Sequence, residues 1–175
     1  MCDAFGSPPA RPGSRSGQRP ADSATFVDSV AHVSSLRWTR RPTANQPIII
    51  AAFEGWNDAG ESATAAIEHL HQAWHAEPFA DIDPEEFYDF TAARPSAQIT
   101  PTGDRHIVWP SNEFAFATPT GSPEVILLRG VEPQLRWRTF CGEILSVAEQ
   151  LQARLVITLG ALLADVPHSR TVQLI

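Results

Sequence analysis

Pro47-Ile48-Ile49-Ile50-Ala51-Ala52-Phe53 runs into Glu54-Gly55-Trp56-Asn57-Asp58-Ala59-Gly60, and this stretch sets the reading of the whole chain. Six consecutive apolar residues behind a proline are what a strand covered on both faces requires, since neither of its sides meets water. The segment between Gly55 and Gly60 reads as a turn, and Ala59, Ala63, Ala66, Ile67, Leu70 and Trp74 then recur at the spacing of one helix face. Asp58, with Glu61 three residues on, has the form of a capping box and puts the helix start at Asp58.

Towards the C-terminus, residues 78–82 predict a strand and Asp83-Pro84-Glu85-Glu86 an acidic turn. Residues 105–109 and 113–117 alternate as strands joined through Pro110-Ser111-Asn112, which predicts a β-hairpin. Val125-Ile126-Leu127-Leu128 is a second buried strand. Pro133 is placed to open a helix with Trp137, Phe140, Ile144, Val147, Ala148 and Leu151 on its apolar face. Residues 154–160, Arg-Leu-Val-Ile-Thr-Leu-Gly, form a third buried strand. This order predicts an α/β fold: a mostly parallel open sheet, helices on both faces, and an inserted β-hairpin.

Towards the N-terminus the signals fade. Residues 1–24 are rich in Gly, Pro, Ser, Ala and Arg, too poor in apolar side chains to offset the entropy of ordering. Phe26, Val27, Val30, Val33, Leu36 and Trp38 make a short apolar patch suited to an edge element, ended by Arg40-Arg41-Pro42. The expected division is a disordered tail over residues 1–40 and one α/β domain over 41–175.

Composition narrows the function classes. Hydrophobic residues make up 43% and charged residues 19% of the 175, in the globular range. Residues 1–40 hold five Arg against three acids, and residues 41–175 eight Arg against seventeen, so the domain is acidic. An acidic surface without a basic stripe repels phosphate backbones and excludes nucleic acid as a partner. Every basic residue is Arg; without any Lys, a phosphate-loop lysine and a Schiff-base lysine are impossible. Cys2 and Cys141 have no metal-ligand spacing and form no paired framework, in keeping with a reducing, cytoplasmic setting. No apolar run has the length of a signal peptide core or a membrane span, so no membrane is expected.

Gly55 to Ser62 matches the phosphate-loop spacing G-x-x-x-x-G-K-[ST] except that Glu61 stands at the lysine position. Asp58 and Glu61 would set two negative charges against a phosphate, so nucleotide triphosphate binding is rejected. What remains is a turn at the C-terminal end of a parallel strand, where α/β folds hold ligands, with Glu54, Asn57 and Asp58 as polar groups. The loop Ala164-Asp165-Val166-Pro167-His168-Ser169-Arg170 should lie at the same end of the sheet, with Asp165 and His168 as an acid/base pair and Arg170 as an anion clamp. Arg129 and Glu132 are placed to pair near this cleft, and Arg136 and Arg138 to pair with Glu143 or with a partner chain. No Gly-x-Ser-x-Gly elbow supports a serine nucleophile. His69, His71 and His75 read as solvated, and the acidic run Asp81, Asp83, Glu85, Glu86 and Asp89 as a solvated turn, so no metal is expected.

Five strings occur in order: Phe53 to Gly60; Tyr88-Asp89-Phe90 with Arg94-Pro95; Trp109-Pro110; Leu128-Arg129-Gly130-Val131-Glu132-Pro133 with Arg136-Trp137-Arg138; and Thr158 to His168. Together they resemble the bacterial branch of the proteasome assembly chaperone 2 family over residues 47–170. That resemblance implies a phosphorylase-like fold, homo-oligomers, proteasome subunits as partners, and a non-enzymatic interaction role without cofactors. The family's domain continues past the Asp165-Val166-Pro167-His168 loop, so the C-terminal portion is expected to be missing here. The eukaryotic members' hydrophobic-Tyr-x ending has no counterpart in Val172-Gln173-Leu174-Ile175. The candidate ligand or interface set is therefore Glu54, Gly55, Trp56, Asn57, Asp58, Gly60, Arg129, Glu132, Asp165, His168 and Arg170, with Trp56, Trp109 and Trp137 as interface anchors. The alternative is an enzyme on a phosphorylase-like fold, binding a small polar or anionic ligand at the same strand ends.

Overall fold

The six apolar residues after Pro47 do become a strand, and the sheet is built around it. The computed structural model describes residues 34–167 and 169–171. Among these the order is β1 (Leu36–Trp38), β2 (Ile48–Glu54), α1 (Ser62–Ala73), β3 (Glu77–Ile82), β4 (Ser96–Ile99), β5 (Arg105–Val108), β6 (Asn112–Ala117), β7 (Val125–Val131), α2 (Trp137–Gln150) and β8 (Leu155–Thr158). The expectations for residues 1–33, for His168 and for residues 172–175 lie outside the described residues. Leu36–Trp38 is a strand, so the sheet begins before residue 41.

The main sheet has the order β1-β3-β6-β7-β2-β8. β7, β2 and β8 run parallel, with Ile48 opposite both Val125 and Leu155. β6, β3 and β1 extend the sheet by antiparallel pairing. The fold is α/β, with a parallel half and an antiparallel half.

Period-two alternation divides the core between the two helices. Ile49 and Ala51 of β2, Ile126 and Leu128 of β7 and Phe114 of β6 point to the side covered by Phe140 and Val147 of α2 and by Leu151 just after it. Ala52, Val125, Leu127, Ala115 and Ala117 point to the other side, under Ala63 and Ile67 of α1. The α2 side is aromatic: Phe87 meets Phe140 edge-on at 5.4 Å, and Phe79 meets Phe114 at 6.1 Å. The α1 side is built from alanines, whose small side chains let that helix lie close to the strands.

Four expectations change. The hairpin is β4 with β5, Ser96 opposite Val108, in a two-stranded sheet of its own, while residues 112–117 join the main sheet instead. Pro110 interrupts the donor row after β5 and lets the chain leave it for a new partner. α2 starts at Trp137, not at Pro133, after Arg136 adopts a left-handed conformation at φ 51°. Among the described residues β8 pairs only with β2 and lies at the edge of the sheet, with Leu155, Val156 and Ile157 exposed rather than buried. His71, read as solvated, has its Nε2 buried against the sheet without a hydrogen-bond partner.

Candidate functional site

The turn after β2 is held from three directions. Gly55 has φ 151°, open to glycine but strained for other residues, and a Cβ there would lie 2.7 Å from Glu132 Oε2. That same Glu132 oxygen accepts the backbone N–H of Trp56 at 3.2 Å, and the Glu132 N–H donates to the Glu54 carbonyl at 2.9 Å. Glu132 is thus a bracket for the turn. It does not pair with Arg129, whose guanidinium reaches Glu68 on α1 instead. Odd and even residues of a strand face opposite sides, and Arg129 projects to the α1 side.

The second anchor is Asp58. Its carboxylate accepts the N–H groups of Ala63 at 2.6 Å and Thr64 at 3.4 Å and the Thr64 hydroxyl. Burial alone would raise its pKa, but the Thr64 hydroxyl and these two amides together hold it below the ordinary carboxylate value. The helix it caps begins at Ser62, because Ala59–Glu61 forms a 3₁₀ turn with Gly60 at φ 65°. The expected capping box is absent: Glu61 sits at φ 55° and returns no side-chain bond.

The third anchor joins this turn to the segment after β8. The Ala59 N–H donates to the Ala161 carbonyl at 2.9 Å and the Ala161 N–H to the Asn57 carbonyl at 2.8 Å. Gly160 lies flat against Asn57, whose Cγ would be 2.8 Å from an added Cβ. The two loops are therefore hydrogen-bonded to each other, and from them project Trp56 at 82% exposure and Leu163 at 92%, with Leu162 and Val166 also exposed.

The loop holding Asp165 and Arg170 does not close over this unit. Both residues are exposed, its own bonds run from Val166 to Ala164 and from Arg170 to Pro167, and His168 lies outside the described residues. Glu54 lines two clefts. One, of about 370 Å³, is bounded by Gly55, Asp58, Glu61 and Thr64; the other, of about 440 Å³, reaches to the β4–β5 hairpin, and neither includes Asp165 or Arg170. No group of three or more His, Cys, Asp or Glu residues is placed to hold a metal among the described residues. No helix among them is long and apolar enough to cross a membrane.

Several other charged residues brace the scaffold. Arg136 pairs with Glu86 rather than Glu143, and Glu143 accepts from the Ser34 hydroxyl and the Ser35 N–H, both at 2.9 Å. Arg37 of β1 binds Asp81 and Asp83, which accounts for the front of the acidic run. Leu162, Leu163 and Glu113 were not singled out from sequence. The two leucines carried a usable signal, following a glycine beyond the last strand, whereas Glu113 needs the β6–β7 register to show that it lies opposite Arg129.

The PAC2 family model matches residues 52–175. The chain belongs to the PAC2 family. A solved PAC2 family protein from Streptomyces avermitilis shares 44% identity at a TM-score of 0.66, covering 71% of this chain and 53% of that one. A proteasome-assembly chaperone homologue from Mycobacterium tuberculosis shares 46% identity at a TM-score of 0.66, over 70% of this chain and 52% of that one. A further Mycobacterium tuberculosis protein of unknown function has 28% identity and a TM-score of 0.68, over 77% and 49% of the two chains. This PAC2-family chain thus spans about half the length of the solved relatives it matches. No curated protein matches it.

Proposed function

We propose that this PAC2-family chain is a non-enzymatic, chaperone-like interaction protein that forms homo-oligomers in the cytoplasm and binds proteasome subunits. The observation that carries the reading is the hydrogen-bonded pair of loops from which Trp56 and Leu163 stand out in solvent. An exposed tryptophan on a preorganised backbone loses little entropy on contact, and large aromatics dominate the binding energy of interfaces. Two of the polar groups at the turn are already used: Asp58 caps α1 and Glu132 braces Gly55 and Trp56. A neighbour described as a proteasome-assembly chaperone homologue supports the choice of partner.

The test is capture of separately purified proteasome α and β subunits on the immobilised chain, with Trp56→Ala and Leu163→Asp variants alongside. Retention by the wild type, weakened at least about tenfold in either variant, is the expected result. Failure of the wild type to retain either subunit rejects the partner. Equal retention by the variants rejects the surface.

A further inference from the structure

A separate feature lies where β2 and β7 end side by side. The chain leaves β2 for α1 on one face of the sheet and leaves β7 for α2 on the other. Adjacent parallel strands whose connections depart to opposite faces leave a crevice between their C-terminal ends, the position at which open α/β sheets hold small ligands. The cleft of about 440 Å³ opens at this end of the sheet, on the β6 side of β7: Arg129, Gly130 and Val131 of β7, Glu113 of β6 and Glu54 at the end of β2 line it, and the β4–β5 hairpin and Trp109 close the far side. Its volume is within the range of small-molecule sites.

Its charges are of both signs and in part unused. Glu54 and Glu113 have no hydrogen-bond or ion-pair partner for their carboxylates among the described residues, and Arg94 gives its Nε to the Thr91 carbonyl at 3.2 Å without meeting a carboxylate. Arg129, opposite Glu113 in the sheet register, is already occupied by Glu68. Trp109 packs edge-on against Phe90 at 5.0 Å, which fixes its ring as a wall while leaving it half exposed. A purely anionic ligand would face Glu54 and Glu113, and a purely cationic one would face Arg94. A molecule with a carboxylate at one end and an ammonium at the other meets both.

We propose that this cleft, between the β6–β7 end of the sheet and the β4–β5 hairpin, binds a small zwitterion of dipeptide size, its carboxylate on Arg94 and its ammonium on Glu54 and Glu113, beside Trp109. This site is independent of the Trp56 and Leu163 surface, and its test does not involve proteasome subunits.

The probe is the dipeptide Ala-Leu, titrated into the isotopically labelled full chain and followed by the indole N–H of Trp109 and the amides of Ser96 and Gln98. N-acetylated and C-amidated Ala-Leu serve as the forms lacking one charge. Saturable shifts at these positions at millimolar Ala-Leu, with each blocked form at least about tenfold weaker, are expected for charge-assisted contacts at both ends. Arg94→Ala should weaken Ala-Leu by a similar factor and leave the C-amidated form unchanged, while the amide of buried Ile126 reports that the fold is intact. No shift at Trp109, or equal binding of the blocked forms, overturns the proposal. So does an Arg94→Ala chain that keeps the wild-type affinity for Ala-Leu.

Discussion

Tyr88 is the chain's single tyrosine, and the chain has no lysine. Between pH 10 and 12 it is therefore the one side-chain type left to titrate, since cysteine ionises lower and arginine higher. Tyr88 is buried, donates its hydroxyl to the Val131 carbonyl at 2.6 Å, and accepts from the Asn112 amide. Burial pushes its pKa up to about 12; the Asn112 donor opposes this and the negative charge of Glu54 adds to it. An unfolded tyrosine ionises near pH 10. The folded value lies above the unfolded one, so the stabilisation is fully present below about pH 10 and is lost as pH rises towards 12.

The size follows from roughly 1.4 kcal/mol for each pH unit between the two values, an upper limit of about 3 kcal/mol. Glu54 is exposed, and screening of its share brings the expectation to about 2 kcal/mol. Chemical denaturation at a series of pH values should show stability falling by that amount across this window, while tyrosinate absorbance of the native chain rises only near its upper end. Tyr88→Phe should lose on the order of 1–3 kcal/mol at neutral pH, because the Val131 carbonyl and the Asn112 amide lose a buried partner. Its stability should then be level from pH 10 to 12. A native midpoint near pH 10, or the same alkaline slope in Tyr88→Phe, would refute the reasoning.

Two further substitutions probe the scaffold beneath the candidate sites. Gly130→Ala would put a Cβ 2.9 Å from the Asn112 Cα and into its side-chain amide, so thermal unfolding should show a loss of about 1–3 kcal/mol. Asp58→Ala removes the carboxylate that caps α1 and should cost about 1–2 kcal/mol at neutral pH. Because the native Asp58 pKa is lowered, its contribution is present above the ordinary value and disappears as pH falls through the native one. Acid titration of stability should accordingly be shallower in the Asp58→Ala chain below about pH 4.

The strands were legible wherever both faces are apolar or a proline marks the start. Ile48–Glu54 and Val125–Val131 are central, and their runs of Val, Ile and Leu show it. Leu155–Thr158 has the same composition yet lies at the edge of the sheet among the described residues, since a local apolar run says only that the residues seek cover. The misplaced hairpin has the same origin. Residues 96–99, Ser-Ala-Gln-Ile, are wholly exposed and carry no alternation that would mark them as a partner, whereas Phe114 and Phe116 made 112–117 conspicuous. Pairing is decided between strands, and nothing within either strand records it.

The candidate sites divide along the same line. Gly55, Asn57 and Asp58 were recognisable because a tight turn and a helix cap impose residue types locally. Arg129 and Glu132, three residues apart, read as a pair in the sequence, although alternation sends Arg129 towards Glu68 and leaves Glu132 to the Trp56 amide. A charged pair read from sequence must share a face as well as a neighbourhood, and three residues along a strand invert the face. Glu113 shows the converse: sixteen positions from Arg129, it stands directly opposite in the register and shares a cleft with it. The cleft at this end of the sheet is thus composed of residues from β2, β6, β7, the β4–β5 hairpin and the segments flanking it, none of which specifies the site alone. Its chemistry becomes readable only once the fold brings Glu54, Glu113 and Arg94 to one opening, which is why removing either charge of the dipeptide is the discriminating test of that site.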